Sequence, residues 1–89
     1  MIVEEHMDIK AAVTEYIKKN FLKGKTLKDL DNASFLEEGI IDSVGVTELV
    51  AFLEDKFNIS VQDDEIIPEN LDSITKLRNF IATKLKHKV

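Results

Sequence analysis

The chain has 89 residues, 44% of them hydrophobic and 33% charged, with a net charge of −5 and no cysteine. An acidic chain argues against nucleic-acid binding and against docking on an anionic membrane, because both favour a basic surface. The absence of cysteine excludes disulfides and thiolate chemistry, and no apolar run approaches the roughly 20 residues of a membrane span.

A chain of this length predicts a single domain over residues 1–89, which we expect to be monomeric. The first five residues, MIVEE, lack the basic and apolar regions of a secretory signal peptide. Together with the lack of cysteine, this leads us to expect a cytoplasmic protein.

The first predicted element is an amphipathic helix. Its apolar residues recur at the spacing of one helical face. They are Ile9, Val13, Tyr16, Ile17 and Phe21. Asp8 or a neighbouring residue is expected to cap the start of this helix, and Gly24 lies just past its end, where glycine commonly terminates helices.

Residues 25–42 predict a long connection whose apolar residues follow no clean period. Loops of this length are uncommon in small domains and are often functional. We expect its apolar residues to hold it across the core. They are Leu27, Leu30, Phe35, Leu36, Ile40 and Ile41. Asp29, Asp31 and Asn32 resemble the start of an EF-hand, but Ser34 stands where that loop needs glycine, so we expect no metal.

Two further long helices are predicted downstream. The first is capped by Asp42, ends at a left-handed Asn58, and buries one apolar face. That face consists of Val46, Leu49, Val50, Leu53 and Phe57. The last helix, capped by Asp72 or Ser73, has a different apolar set and a basic end that complements its dipole. The apolar residues are Ile74, Leu77, Ile81 and Leu85. The basic end consists of Lys84, Lys86, His87 and Lys88.

Between these two helices, residues 63–67 predict a short helical turn that stops before Pro68. No strand pattern competes with the helical ones. The sequence therefore predicts an all-α four-helix bundle, with three longer helices, one short helix and a long first loop.

Ser43, at the start of the second long helix, has three possible roles: a helix cap, a nucleophile or an attachment point. A serine nucleophile needs a nearby base, but the two histidines, His6 and His87, lie near opposite ends of the chain. The nucleophile elbow also needs glycine at position 41, which is Ile41. Catalysis is therefore disfavoured, while capping and attachment both remain open.

The same helix predicts a docking surface beside Ser43. If Val46 lies at the centre of the buried face, the opposite side of the helix carries an apolar residue near Ser43 and carboxylates further toward the C-terminal end. This stripe consists of Val44, Glu48, Ala51 and Asp55, with Thr47 and Glu54 at its flank and Phe52 at its other edge. A helix N-terminus also favours phosphate, so a phosphodiester on Ser43 would be well placed.

These motifs resemble the acyl carrier protein family, which includes peptidyl and D-alanyl carriers. The resemblance covers nearly the whole chain and is densest in residues 39–44 (GIIDSV), 48–50 (ELV) and 53–57 (LEDKF). Residues 59–61 and 68–74 are similar to the family's third-helix region and the entry to its fourth helix.

The resemblance implies a carrier and not an enzyme. Ser43 would accept a 4′-phosphopantetheine arm from coenzyme A through a Mg²⁺-dependent phosphopantetheinyl transferase. The arm's thiol would carry an acyl or aminoacyl group as a thioester. Activating and transferring enzymes with basic patches would dock on the second helix. The docking residues implied are Asp42, Val44, Thr47, Glu48, Ala51, Glu54 and Asp55.

Three departures from the fatty-acid carriers point to a specialised pathway. Gly45 and Lys56 replace acidic residues, and Ala51 replaces a larger apolar residue. Each would remove charge or apolar bulk from the surface that generic partners use. Gly45 would also make the first helical turn more mobile, because glycine has a low helix propensity. The Asp-Ser-apolar-Gly order is more similar to D-alanyl and some aminoacyl carriers. An unmodified helical interaction module is the alternative outside the carrier class.

Overall fold

The computed structural model of the protein describes residues 8–86, and every regular element in that range is helical. Helix α1 (Ile9–Ile17) continues into a π-helical turn (Lys18–Leu22), and α2 spans Ser43–Phe57. A 3₁₀ turn (Asp63–Glu65), α3 (Pro68–Leu71) and α4 (Ile74–Lys86) follow. The all-α bundle predicted from the sequence is confirmed. No helix in the described part of the chain is long and apolar enough to cross a membrane.

Local sequence signals set the start of each long helix. The Asp8 carboxylate accepts a hydrogen bond from the Ala11 N–H at 3.1 Å, and the Asp42 carboxylate accepts one from the Gly45 N–H at 2.8 Å. Of the two candidates for α4, it is Ser73 whose hydroxyl accepts from the Lys76 N–H, at 3.1 Å. Such caps satisfy N–H groups that have no partner inside the helix.

Left-handed residues end the first two helices. Asn58 adopts φ 53° and ψ 49° after α2, as predicted. After the π turn the left-handed position falls on Lys23, and the expected terminator Gly24 follows it with φ 91°. The basic end of α4 is present in Lys84 and Lys86. The predicted contribution of His87 and Lys88, like His6 and the first five residues, lies outside the described residues.

The short helix differs from its prediction. A 3₁₀ turn covers only Asp63–Glu65, and the α-helical turn α3 begins at Pro68, where the sequence pattern was taken to stop. Proline suits the first position of a helix, because its fixed φ is already helical and its missing N–H would have no partner there. The helical turn predicted to stop before Pro68 is present as a shorter 3₁₀ turn, and α3, which begins at Pro68, was not predicted.

The core forms where α1, α2 and α4 meet the long loop. The predicted faces of α1 and α4 are buried, at Val13 and Ile17 and at Ile74, Leu77 and Ile81. The buried face of α2 is centred on Leu49 and Leu53, whereas Val46 and Val50 are only partly buried.

Asp72, at the start of α4, holds the long loop in place. Its carboxylate accepts hydrogen bonds from the Ser34 hydroxyl and from the Leu36 N–H, and its carbonyl accepts one from the Phe35 N–H at 2.9 Å. Phe35 and Ile41 are buried as expected, but Leu36 is 55% exposed. The loop is thus fixed just upstream of Ser43.

Candidate functional site

Ser43 is the first residue of α2, and its side chain is exposed. Asp42 supplies the cap, through its carboxylate to the Gly45 N–H and its carbonyl to the Val46 N–H at 2.9 Å. The Ser43 carbonyl accepts from the Thr47 hydroxyl, also in the first turns of the helix. Because Asp42 makes the cap, the Ser43 hydroxyl is not needed for helix stability and is available for modification.

The electrostatics of this position suit a phosphodiester. α2 has 15 residues, so its N-terminus carries the positive end of a full helix dipole. Unpaired N–H groups at such an end favour phosphate by about 0.3–1 kcal/mol. The exposed hydroxyl and the helix end together fit a phosphate-linked group on Ser43.

Gly45 does not leave a gap in the exposed surface, which corrects the expectation drawn from the sequence. The residue is buried, and a β-carbon there would lie 3.0 Å from both Phe21 Cε1 and Ile41 Cγ2. The missing acidic residue is therefore explained by packing against α1. This contact joins residues far apart in the sequence, and no local pattern revealed it.

Most of the predicted docking residues share one exposed side of α2. Val44 is 66% exposed, well above the exposure of an ordinary core-facing valine. The other exposed members are Asp42, Thr47, Glu48, Ala51 and Asp55. Lys56, one of the departures noted above, is exposed as well. The structure thus exposes these side chains along the length of α2, from the residues next to Ser43 toward the C-terminal end of the helix.

Two residues at the margins of this stripe have structural contacts. Glu54 is partly buried, and its carboxylate accepts a hydrogen bond from the Val61 N–H at 2.9 Å, which holds the segment after α2. Phe52, predicted to border the other edge of the stripe, is partly buried and stacks on Tyr16 with ring centroids 3.8 Å apart. Both contacts anchor α2 to its neighbours.

Tyr16 borders the stripe from α1. Its hydroxyl donates to the Glu48 carbonyl at 3.3 Å. Burial, and then the negative charge of Glu48, raise the pKa of Tyr16 above its ordinary value. The hydroxyl therefore stays protonated and keeps donating at neutral pH.

An apolar cavity of about 100 Å³, which the sequence did not reveal, lies between α2, α3 and the long loop. Its walls include Phe35, Ile41, Val46, Leu49 and Leu71. Ile66 and Ile67 also line it, and these side chains are 37% and 41% exposed. Ile41 and Val46 flank Ser43 in the sequence, so the cavity is built from the same segment as the serine.

Glu65 fixes the segment that carries Ile66 and Ile67. Its carboxylate accepts from the Gln62 N–H at 2.9 Å and forms an ion pair with Lys84 on α4, also at 2.9 Å. The Gln62 N–H first, and then Lys84, lower the pKa of the Glu65 carboxyl. The ion pair thus persists at neutral pH and ties the cavity rim to α4.

The acidic residues of the long loop make contacts within the protein. Asp29 accepts from the Asn32 amide at 3.2 Å, and Asp31 forms an ion pair with Lys10 at 2.7 Å. Between residues 8 and 86 no three His, Cys, Asp or Glu side chains are grouped to hold a metal ion.

An all-α bundle with a capped central helix and an exposed serine at its first residue is compatible with a small carrier, a protein that holds a covalently attached group. Residues 12–81 match the family model described as phosphopantetheine attachment site, and the chain belongs to this family.

Curated relatives have names in keeping with this class. The chain is 32% identical to a D-alanyl carrier protein of Streptococcus sanguinis, over 82% of this chain and 99% of the relative. It is 35% identical to an acyl carrier protein of Buchnera aphidicola, over 83% of this chain and 95% of the relative. A D-alanyl carrier protein of Streptococcus gordonii is 31% identical over similar shares.

As a member of this family the protein is a carrier and not an enzyme. It carries a covalently attached 4′-phosphopantetheine group. It works with a phosphopantetheinyl transferase and with acyl-handling enzymes.

Proposed function

We propose that Ser43 is the attachment point and that the arm delivers its cargo between enzymes of a specialised pathway in the cytoplasm. The observation that carries the proposal is the exposed Ser43 hydroxyl at the N-terminus of α2, with Asp42 making the cap in its place. In the transfer, the Ser43 oxygen forms a bond to the phosphorus next to pantetheine in coenzyme A, adenosine 3′,5′-bisphosphate leaves, and the hydroxyl proton passes to a base.

The proposed cargo is an aminoacyl or short acyl group. The apolar cavity lined by Ile41 and Val46, which flank Ser43 in the sequence, measures about 100 Å³, smaller than an apolar cavity of about 150 Å³ that binds benzene. A small group fits this space, but a long acyl chain would have to push the helices apart. The names of the D-alanyl relatives agree with this size.

The cargo is tested by offering the arm-bearing protein separately to amino-acid-activating enzymes and to fatty-acid elongation enzymes. We expect efficient aminoacyl or short acyl loading, and elongation at least tenfold slower than on a general fatty-acid carrier from the same assay. Intact mass spectrometry measures both reactions on the same sample. Rapid elongation to long acyl chains would refute the proposed cargo while leaving the attachment at Ser43 intact.

The proposed docking surface is the exposed side of α2 next to Ser43. It combines an apolar contact at Val44 with negative charge at Glu48 and Asp55, which suits enzymes with basic patches. Asp42, Thr47 and Ala51 complete it. Glu54 lies at its margin, with one carboxylate oxygen already bonded to the Val61 N–H.

Glu48→Lys is expected to raise the KM of the transferase for the protein by about fivefold at low salt, because exposed charge contacts contribute roughly 1 kcal/mol or less each. Since such contacts mainly steer association, the effect should shrink as salt is added. Initial rates at several protein concentrations measure it. Glu15→Lys makes the same charge change at an exposed position of α1 and should leave KM unchanged. Equal effects of both variants would count against this surface.

A further inference from the structure

The C-terminal end of α1 departs from α-helical geometry. Lys18–Leu22 form a π turn, in which the Lys23 N–H donates to the Lys18 carbonyl five residues back, at 3.3 Å. In a continued α-helix, Leu22 would point about 140° away from the buried Ile17. The wider turn instead buries Leu22, while Phe21 packs against the core and is partly buried. Two consecutive large side chains therefore face the bundle.

This turn needs tertiary contacts to hold it. It ends in Lys23 at φ 49° and ψ 49°, a left-handed conformation that is unfavourable for lysine and is adopted readily by glycine and occasionally by asparagine or aspartate. π turns are rare and are frequent at functional sites. The contacts that keep it are those of Leu22 with the core and of Phe21 with α2.

Phe21 lies directly against the first turn of α2. Its Cε1 atom is 3.0 Å from the place where a β-carbon on Gly45 would be, closer than an ordinary van der Waals contact. The backbone of Gly45 is not left-handed, unlike that of Gly24 and Gly39. A side chain at position 45 would therefore be crowded by the Phe21 ring and by Ile41, and one of these neighbours would have to move to accommodate it.

Other aromatic side chains fix the position of the Phe21 ring. Tyr16 meets it edge to face with centroids 5.7 Å apart, and Tyr16 in turn stacks on Phe52 at 3.8 Å. The Tyr16 hydroxyl also donates to the Glu48 carbonyl. α1 thus touches α2 through one row of aromatic rings, at Gly45, Glu48 and Phe52.

Ser43 and Gly45 are two residues apart, which separates them by about 200° around the helix axis. The Phe21 ring therefore supports the first turn of α2 from the side away from the Ser43 side chain. The Gly45 N–H is also the group that Asp42 caps. The Phe21 ring and the Asp42 carboxylate both contact Gly45, and together they set the orientation of the helical turn that carries Ser43.

We propose that Phe21 is a positioning residue for arm attachment: its contact with Gly45 holds the first turn of α2 in the orientation that presents the Ser43 hydroxyl to the transferase. This inference rests on the proposed attachment at Ser43. The role of Phe21 differs from that of the docking surface. A misdirected hydroxyl slows the reaction within the bound complex, whereas a lost docking charge weakens binding of the transferase.

The test measures transferase kinetics on the arm-free protein. Phe21→Ala is expected to lower kcat about tenfold with KM within twofold, since small misplacements of a reacting group cost rate. Phe21→Leu should restore most of the rate. Gly45→Ala should lower kcat too, because its methyl group displaces the ring. In the double variant Phe21→Ala/Gly45→Ala the two losses should not multiply, because that methyl group fills part of the space left by the ring.

Phe80→Ala is the matched control, since it deletes a phenyl ring that is more buried than Phe21 but lies on α4. Circular dichroism confirms that each variant is folded at the assay temperature, and kcat for Phe80→Ala should stay at the wild-type value. Wild-type kcat in Phe21→Ala, or an equal loss in Phe80→Ala, would overturn the proposal. If Phe21→Ala does not fold, an unchanged kcat in Gly45→Ala overturns it. A gain of one arm by Ser43→Ala would instead refute attachment at Ser43.

Discussion

Ser43→Ala is expected to abolish uptake of the phosphopantetheine arm, because the substitution removes the oxygen that would bond to phosphorus. The loss should be complete, because Ser43 supplies the hydroxyl at the first position of α2 and no other residue can replace it there. The fold should be retained. Asp42 makes the cap, and a surface substitution outside such contacts usually changes the free energy of unfolding by about 0.5 kcal/mol or less.

The measurement is the intact mass of the arm-free protein after incubation with coenzyme A, Mg²⁺ and a broad-specificity transferase. Ser60→Ala is the matched control, because Ser60 is also exposed but follows α2. It should gain the arm as the wild type does. A mass gain in Ser43→Ala equal to one arm would show that the attachment point lies elsewhere.

Phe35→Ala is expected to lower the free energy of unfolding by about 3–5 kcal/mol, the usual cost of deleting a buried phenyl ring. Phe35 is only 2% exposed, and it anchors the long loop that leads to Ser43. A chain of this size has a total stability of about 4–13 kcal/mol. The variant should therefore unfold at a much lower urea concentration than the wild type.

Leu36→Ala is the neighbouring control for this experiment. The Leu36 side chain is 55% exposed, and its N–H bond to Asp72 does not depend on the side chain. We expect a change within about 0.5 kcal/mol. Urea unfolding followed by circular dichroism measures both variants. Similar midpoints for the two would mean that Phe35 does not hold the loop in the way its burial indicates.

The starts of α1 and α2, and with them the position of Ser43, followed from the sequence, because each depends on residues only a few places apart. Asp8 and Asp42 cap helices by bonding N–H groups three residues on. Asn58 ends α2 in the left-handed conformation its residue type favours. Helical spacing also identified the buried faces of α1 and α4.

Pro68 shows the limit of these local signals. Proline is common both at the first position of a helix and just after the end of one, so its presence alone does not distinguish the two. The segment around Pro68 is also too short to show a helical period. The burial of Leu71 favours a helical turn after the proline, since it brings that side chain into the core. Such a choice depends on what lies opposite in the folded chain.

The surroundings of Ser43 were decided only by the tertiary structure. The sequence placed the serine at a helix start, but it gave Gly45 a place on the surface used by partners and did not reveal what packs against Phe52. In the fold, Phe21 occupies the space beside Gly45, and Tyr16 stacks on Phe52. These contacts join helices separated by the long loop, and that loop is itself held by Asp72, 38 residues after Ser34. Helix caps and buried helical faces depend on residues that are close in the sequence. The contacts of the aromatic rings depend on how the helices pack against one another.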